Sequence, residues 1–182
     1  MKVGFLGRFQ PFHKGHHKVV EEHKDEFDDF KIIIGSAGKE GTEDNPLSFE
    51  DRKKLIKTCF PDVEILKVED ETKDEKGNKK WIKKIEDLGV DGIISQNNLV
   101  KRLLEDYTDL ELIEQDLFNK DIYSGTETRR RIRSGEEWRY LVPKCCTAEI
   151  GELAEKIKAA GTQYTFEPGW KRENAYNDTF EK

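Results

Sequence analysis

Five short apolar runs, each followed by a stretch with helical character, constrain this chain more than any other feature. They are Val3-Gly4-Phe5-Leu6, Lys31-Ile32-Ile33-Ile34-Gly35, Val63 to Val68, Val90 to Ser95 and Leu110 to Glu114. The second run is apolar without interruption, which suits a strand covered on both faces, as in a parallel sheet. Strands alternating with helices imply one parallel sheet with right-handed crossovers. The expected fold class is therefore α/β: a five-stranded doubly wound parallel sheet, with helices filling the C-terminal part to about Gly161. An order 3-2-1-4-5 is the economical winding. It reverses direction between strands 1 and 4, where ligands bind at the carboxyl ends.

Helices are expected from His17 to about Lys24, and from Phe49 to about Cys59 behind the capping-box-like Ser48-Phe49-Glu50-Asp51. Further helices are expected from Trp81 to about Leu88, from Asn98 to about Tyr107, and from Glu127 to Arg133. Glu69 to Lys80 is a charge run and reads as a solvated loop. Neither a repeat nor a flexible linker divides the chain, so residues 1–160 are expected to be one domain, with 161–182 as an extension. That extension carries Tyr164, Phe166, Trp170, Tyr176 and Phe180, too many aromatics for a disordered linker. Packing on its own domain or on a neighbouring subunit is expected.

Hydrophobic residues make up 35% and charged residues 38% of the chain, with net charge -6. This describes a soluble protein without the basic footprint of a nucleic-acid binder. No run is long enough to span a bilayer, and Arg8 interrupts the one N-terminal stretch that could resemble a signal peptide, so a cytoplasmic location is expected. Cys59, Cys145 and Cys146 form no C-x-x-C pair, and are expected to be buried or idle thiols.

An acidic chain that handled a polyanion would have to concentrate its cations locally. The loop Gly7-Arg8-Phe9-Gln10-Pro11-Phe12-His13-Lys14-Gly15-His16-His17 carries the first strand into a helix, where free N–H groups and the positive end of the helix dipole meet. His13 and His16 could share one face there, Gly15 lets backbone approach a ligand, and Arg8 is a permanent cation. A second helix start, Ser124-Gly125-Thr126, offers hydroxyls and N–H groups to phosphate oxygens, with Arg129 one turn further on. Arg131 and Arg133 read as a solvated basic face. Ser95 and Asn97 follow strand 4 and so face the same crevice. The run Gly35 to Thr42 fails as a Walker loop, because Glu40 stands where Ser or Thr is required.

The segment Gly7 to His16, with its G-R-F-Q-P-F-H-x-G-H pattern, resembles the signature of the H-x-G-H nucleotidyltransferases in their archaeal-type nicotinamide-nucleotide adenylyltransferase version. Ser124-Gly125-Thr126-x-x-Arg129 resembles the family's S-G-T-x-x-R element, Asn78-x-x-Trp81 its N-x-x-W element, and Ser95-x-Asn97-x-Leu99-Val100 its S-x-N-x-L-V element. Arg52 matches the arginine after the family's N-P-F segment. The resemblance runs from about Lys2 to Pro143 and implies the same Rossmann-like sheet. Two features depart from the pattern: Lys79-Lys80 inside N-x-x-W, and an extended acidic lead-in from Glu69 to Gly77.

By that resemblance the chain would transfer the adenylyl group of ATP to nicotinamide mononucleotide, giving NAD and pyrophosphate. His13, His16, Arg8 and Arg129 would be catalytic. Gly7, Phe9, Gln10, Gly15, Arg52, Ser95, Asn97, Ser124, Gly125 and Thr126 would bind ATP and its phosphates, while Asn78 and Trp81 would hold the nicotinamide nucleotide. Asn97 could instead simply cap the next helix, and Trp81 could be a core residue. Mg²⁺ would arrive on the triphosphate, with no protein metal ligands, and homo-oligomers, often hexamers, are implied. The alternatives are a sister adenylyltransferase for phosphopantetheine or flavin mononucleotide, and a nucleotide-binding sensor without turnover.

Overall fold

The computed structural model describes residues 1–115 and 118–162. Its strands β1 (Lys2–Gly7), β2 (Asp29–Ile34), β3 (Glu64–Lys67), β4 (Gly92–Ile94) and β5 (Glu111–Ile113) form one sheet in the order β3-β2-β1-β4-β5. Every pairing is parallel. Helices α1 (Lys14–His23), α2 (Phe49–Cys59), α3 (Glu75–Glu86), α4 (Asn98–Tyr107), α5 (Gly125–Ser134) and α6 (Thr147–Thr162) surround it, with single 3₁₀ turns at Arg139–Leu141 and Lys144–Cys146. The winding expected from the five apolar runs is the one observed. The aromatic extension, from residue 163 on, lies outside the described residues.

The period-two alternation of strand side chains sorts the core onto the two faces of the sheet. Val3, Phe5, Ile32, Ile34 and Ile94 pack with Val19, Val20, Leu55, Ile56, Ile132, Ile150 and Ile157, so α1, α2, α5 and α6 share one face. Leu6, Ile33 and Ile93 pack with Ile82, Ile85, Leu103 and Leu104 of α3 and α4 on the other. Phe5 lies opposite Ile32 and Ile94, and Leu6 opposite Ile33. This register brings the carboxyl ends of β1 and β4 side by side at the switch point.

Two helices begin earlier than the sequence suggests. α1 starts at Lys14, not His17, because His13 caps it. α3 starts at Glu75 rather than Trp81, so the second half of the charge run is helix and not loop. The Asp74 carboxylate accepts from the Gly77 N–H at 2.7 Å, an N-cap hidden among neighbouring charges. Gly77 sits in that first turn because a Cβ there would stand 2.0 Å from the Thr72 carbonyl oxygen.

Three further expectations are revised. Cys59, at the end of α2, and Cys145, in the turn before α6, form a disulfide, with Cα atoms 5.3 Å apart across 86 residues of sequence. Only Cys146 among the three is a free, buried thiol. The pairing follows from α2 packing against that turn, which spacing along the chain does not report. The basic run of α5 is a partly solvated face whose charges are paired rather than free: Arg131 pairs with Glu127 at 2.8 Å, and Arg133 donates to the carbonyls of Glu43 and Ile157.

Arg52 takes the third unexpected position. It is fully buried in α2, and its guanidinium donates to the carbonyls of Ser48, Arg8, Gly35, Ser36 and Ala37 at 2.9–3.5 Å. Those acceptors come from the loops after β1 and β2 and from the start of α2, and they match the guanidinium's five N–H donors. Burial, with Arg8's charge nearby, lowers its pKa to about 10, still charged at neutral pH. Arg52→Met should leave several buried carbonyls without donors and lower stability by about 3 kcal/mol or more. A urea midpoint unchanged in Arg52→Met, together with a raised KM for ATP, would assign Arg52 to the phosphates instead.

Candidate active site

At the carboxyl ends of β1 and β4 lies a cleft of about 640 Å³. The starts of α1, α4 and α5 converge on it, so three positive dipole ends surround one hollow. Each start is closed by a polar side chain. His13 caps α1, Asn97 caps α4 through N–H groups of Leu99 and Val100, and Ser124 caps α5 through the N–H of Glu127.

The α1 cap is reciprocal and built from histidines. His13 Nδ1 accepts from the N–H groups of Gly15 at 3.0 Å and His16 at 3.4 Å, while His16 Nδ1 accepts from the His13 N–H at 3.3 Å. A nitrogen that accepts carries no proton, so each neutral ring must be protonated at Nε2. The two rings stack with centroids 3.6 Å apart, and His16 is flanked by Phe9 and Phe12 at 4.6 and 5.8 Å. Burial, reinforced by the charge of Arg129, lowers the His13 pKa to about 3. Burial, and then the neighbouring His13, lowers that of His16 as well. Both imidazoles are therefore neutral at physiological pH and present N–H donors at a cleft they both line.

Arg129 reaches the cleft from one turn inside α5. Its Nη1 donates to the Gln10 carbonyl at 2.8 Å and its Nη2 lies 3.4 Å from the Asp44 carboxylate. The buried Nε–H has no partner among the described residues. An unpaired buried donor is costly. Burial lowers the Arg129 pKa to about 10, with Asp44 opposing the shift, so the charge persists. Arg8 is exposed and also lines the cleft, its charge close enough to Arg129 to act on it.

The remaining expected residues divide. Gly7, Phe9, Gln10, Ser95, Asn97, Gly125 and Thr126 line the cleft. Gln10 does so with its amide already paired at both ends to the Leu47 backbone, at 2.9 Å each way. Gly15, Ser124 and Arg52 lie behind it. A Cβ on Gly15 would meet the His13 ring at 2.9 Å, so this glycine makes room for the imidazole rather than for a ligand. Asn78 and Trp81 line the far end from successive turns of α3. Trp81 is partly buried and also touches the core cluster on that face, as its core reading expects.

Sequence reading passed over Lys39, Asp70 and Thr72, which also line the cleft. Lys39 pairs with Asp70 at 2.8 Å, and Asp70 accepts from the Ser36 hydroxyl at 3.0 Å. The signal available for Lys39 was its place just beyond the carboxyl end of β2, next to the switch point. Its failure to fit a Walker loop obscured that.

The pattern of the cytidylyltransferase-like family matches residues 5–131. A nicotinamide-nucleotide adenylyltransferase of Methanococcus aeolicus is 37% identical over 160 residues, covering 84% of this chain and 90% of that protein. The one from Methanolobus tindarius is 34% identical, covering 82% and 87%. The crystal structure of a bifunctional NMN adenylyltransferase/ADP ribose pyrophosphatase from Francisella tularensis, complexed with AMP and a Mn ion, superposes with a TM-score of 0.67 at 20% identity. It covers 98% of this chain, which in turn spans 54% of that one, and at this identity the likeness speaks for the fold. By sequence pattern and by fold, the chain belongs to the cytidylyltransferase-like family, among the archaeal-type nicotinamide-nucleotide adenylyltransferases.

Proposed function

We propose that the cleft transfers the adenylyl group of ATP to the 5′-phosphate of nicotinamide mononucleotide, giving NAD and pyrophosphate. The observation that carries this is the pair of cap-fixed Nε2–H donors of His13 and His16, sharing one cleft with the Arg129 side chain. A phosphate monoester is already a competent nucleophile, so no covalent intermediate on the protein is needed. What the protein must supply is in-line positioning and stabilisation of charge on phosphoryl oxygens.

The two histidines act as neutral hydrogen-bond donors to the reacting phosphate, not as acids titrating near neutral pH. Arg129 and Arg8 hold the triphosphate and stabilise the departing pyrophosphate, and Gly125 and Thr126 add the helix start of α5. Trp81 stacks on the nicotinamide ring beside Asn78, a contact that adds about 0.5–1.5 kcal/mol to area burial. Mg²⁺ enters on the triphosphate. The cleft carboxylates Asp70 and Glu71 are ion-paired to Lys39 and Lys84, which favours phosphate and water as its ligands.

His16→Ala should reduce kcat by about 100- to 1,000-fold, the loss of a preorganised donor, with the fold retained by circular dichroism. Near-normal turnover would contradict the role assigned to it. Trp81→Ala should raise KM for nicotinamide mononucleotide by roughly tenfold and leave KM for ATP almost unchanged; equal effects on both would make Trp81 a core residue only. Flavin mononucleotide and phosphopantetheine, assayed beside nicotinamide mononucleotide, should yield no pyrophosphate.

The depressed histidines set a pH window. The unfolded chain takes up protons at histidine below about pH 6.5, whereas folded His13 does so only near 3. Their contribution to stability is therefore complete above pH 6.5 and is lost as pH falls from there towards 3. Nitrogen-15 NMR at pH 6 should show both imidazoles neutral and protonated at Nε2. Imidazolium signals for either residue at that pH would overturn the donor assignment.

A further inference from the structure

Helix α1 carries a third histidine that the reaction does not use. His17 does not line the cleft; its ring packs against Phe60 at 4.9 Å, and its Nδ1 lies 3.3 Å from the Glu21 carboxylate. Beside it are the two sulfurs of the Cys59–Cys145 pair. One ligand atom from each of His17, Cys59 and Cys145 lies within 4.8 Å of the other two, and this is the one such group of histidine, cysteine and acidic side chains among the described residues.

We propose that, when the Cys59–Cys145 disulfide is reduced, His17, Cys59 and Cys145 become a binding site for a thiophilic divalent cation of the zinc class. Two thiolates and one imidazole are the donor set such an ion prefers over Mg²⁺ or Ca²⁺. Tetrahedral bonds of about 2.3 Å to sulfur and 2.0–2.1 Å to nitrogen place ligand atoms roughly 3.5–3.8 Å apart. The two sulfurs, bonded to each other in the disulfide, must therefore part on reduction, while all three ligand atoms already lie within 4.8 Å of one another. Glu21 lies against His17 Nδ1, the kind of carboxylate partner that orients a metal-bound histidine. A disulfide has no need of a histidine fixed beside it in this way. Cys145 is exposed while His17 and Cys59 are partly covered, which leaves an entry path and a fourth position for water.

The chemistry balances with an external dithiol as reductant. The dithiol gives two electrons and two protons to the protein disulfide, leaving two cysteine thiols, and is itself oxidised to a disulfide. Binding of the cation then releases the two thiol protons as both sulfurs become thiolates. Disulfide and metal compete for the same sulfurs, so each state excludes the other. The three ligands belong to α1, α2 and the turn before α6, so the bound ion would tie together the same elements that the disulfide holds.

The test uses the full chain, reduced with a non-chelating phosphine, freed of reductant under anaerobic conditions and titrated with Co²⁺. The reduced protein should bind one equivalent, with thiolate-to-cobalt charge-transfer and tetrahedral ligand-field absorption, and Zn²⁺ should displace it. The oxidised protein should give no such signal. Cys59→Ser and Cys145→Ser should each abolish it, His17→Gln should weaken Co²⁺ affinity at least tenfold, and Cys146→Ser should leave it intact. As a check independent of the variants, Zn²⁺ should raise the Tm of reduced protein and not of oxidised protein. Absence of the thiolate band in reduced wild type, its persistence in Cys59→Ser, or full affinity in His17→Gln overturns the proposal.

Discussion

The reciprocal hydrogen bonds between His13 and His16 are the constraint on which the site depends. In most capped helices a hydroxyl or carboxylate satisfies the first backbone donors, and the side chain has no further duty. Here the capping groups are imidazoles, whose second nitrogen remains available after the first has accepted. Closing the helix and setting the tautomer are the same act. Because each Nδ1 already accepts a backbone N–H, and the His16 ring packs on Phe9, Phe12 and His13, neither can protonate there without breaking the cap, so the donors are fixed before any ligand arrives.

Around that pair, an acidic protein builds a place for a polyanion. It does so by geometry rather than by bulk charge. Three helix starts and two arginines face one hollow, while the other arginines of α5 are neutralised by Glu127, Glu136 and backbone carbonyls. Arg52 works from behind, holding the loops after β1 and β2 to each other through their carbonyls. On α5 the arginine that reaches the cleft is thereby set apart from its charge-paired neighbours.

The sheet and the cleft were legible because both arise from short-range signals. Apolar runs ending in glycine or serine mark strands, and the Gly7 to His16 and Ser124 to Arg129 segments mark two helix starts that the winding order must bring together. What escaped the sequence was set by contacts between distant segments. Arg52 matches a phosphate-binding pattern, yet its acceptors come from loops as much as 44 residues away. The Cys59–Cys145 pairing depends on how α2 meets a turn 86 residues later. The start of α3 was hidden for a local reason: the capping aspartate is one carboxylate in a run of mixed charges, and the glycine after it reads as a helix breaker.

That glycine has a consequence for how this wall of the cleft tolerates change. With Gly77 seated on the Thr72 carbonyl and Asp74 capping the helix, the origin of α3 is fixed within the six residues from Thr72 to Gly77. The acidic stretch leading into it, from Glu69 to Glu71, takes no part in that seat. Insertions or deletions there would change the rim of the hollow while Asn78 and Trp81 keep their phase on the helix. Drift in lead-in length between related chains is therefore compatible with an unmoved aromatic wall.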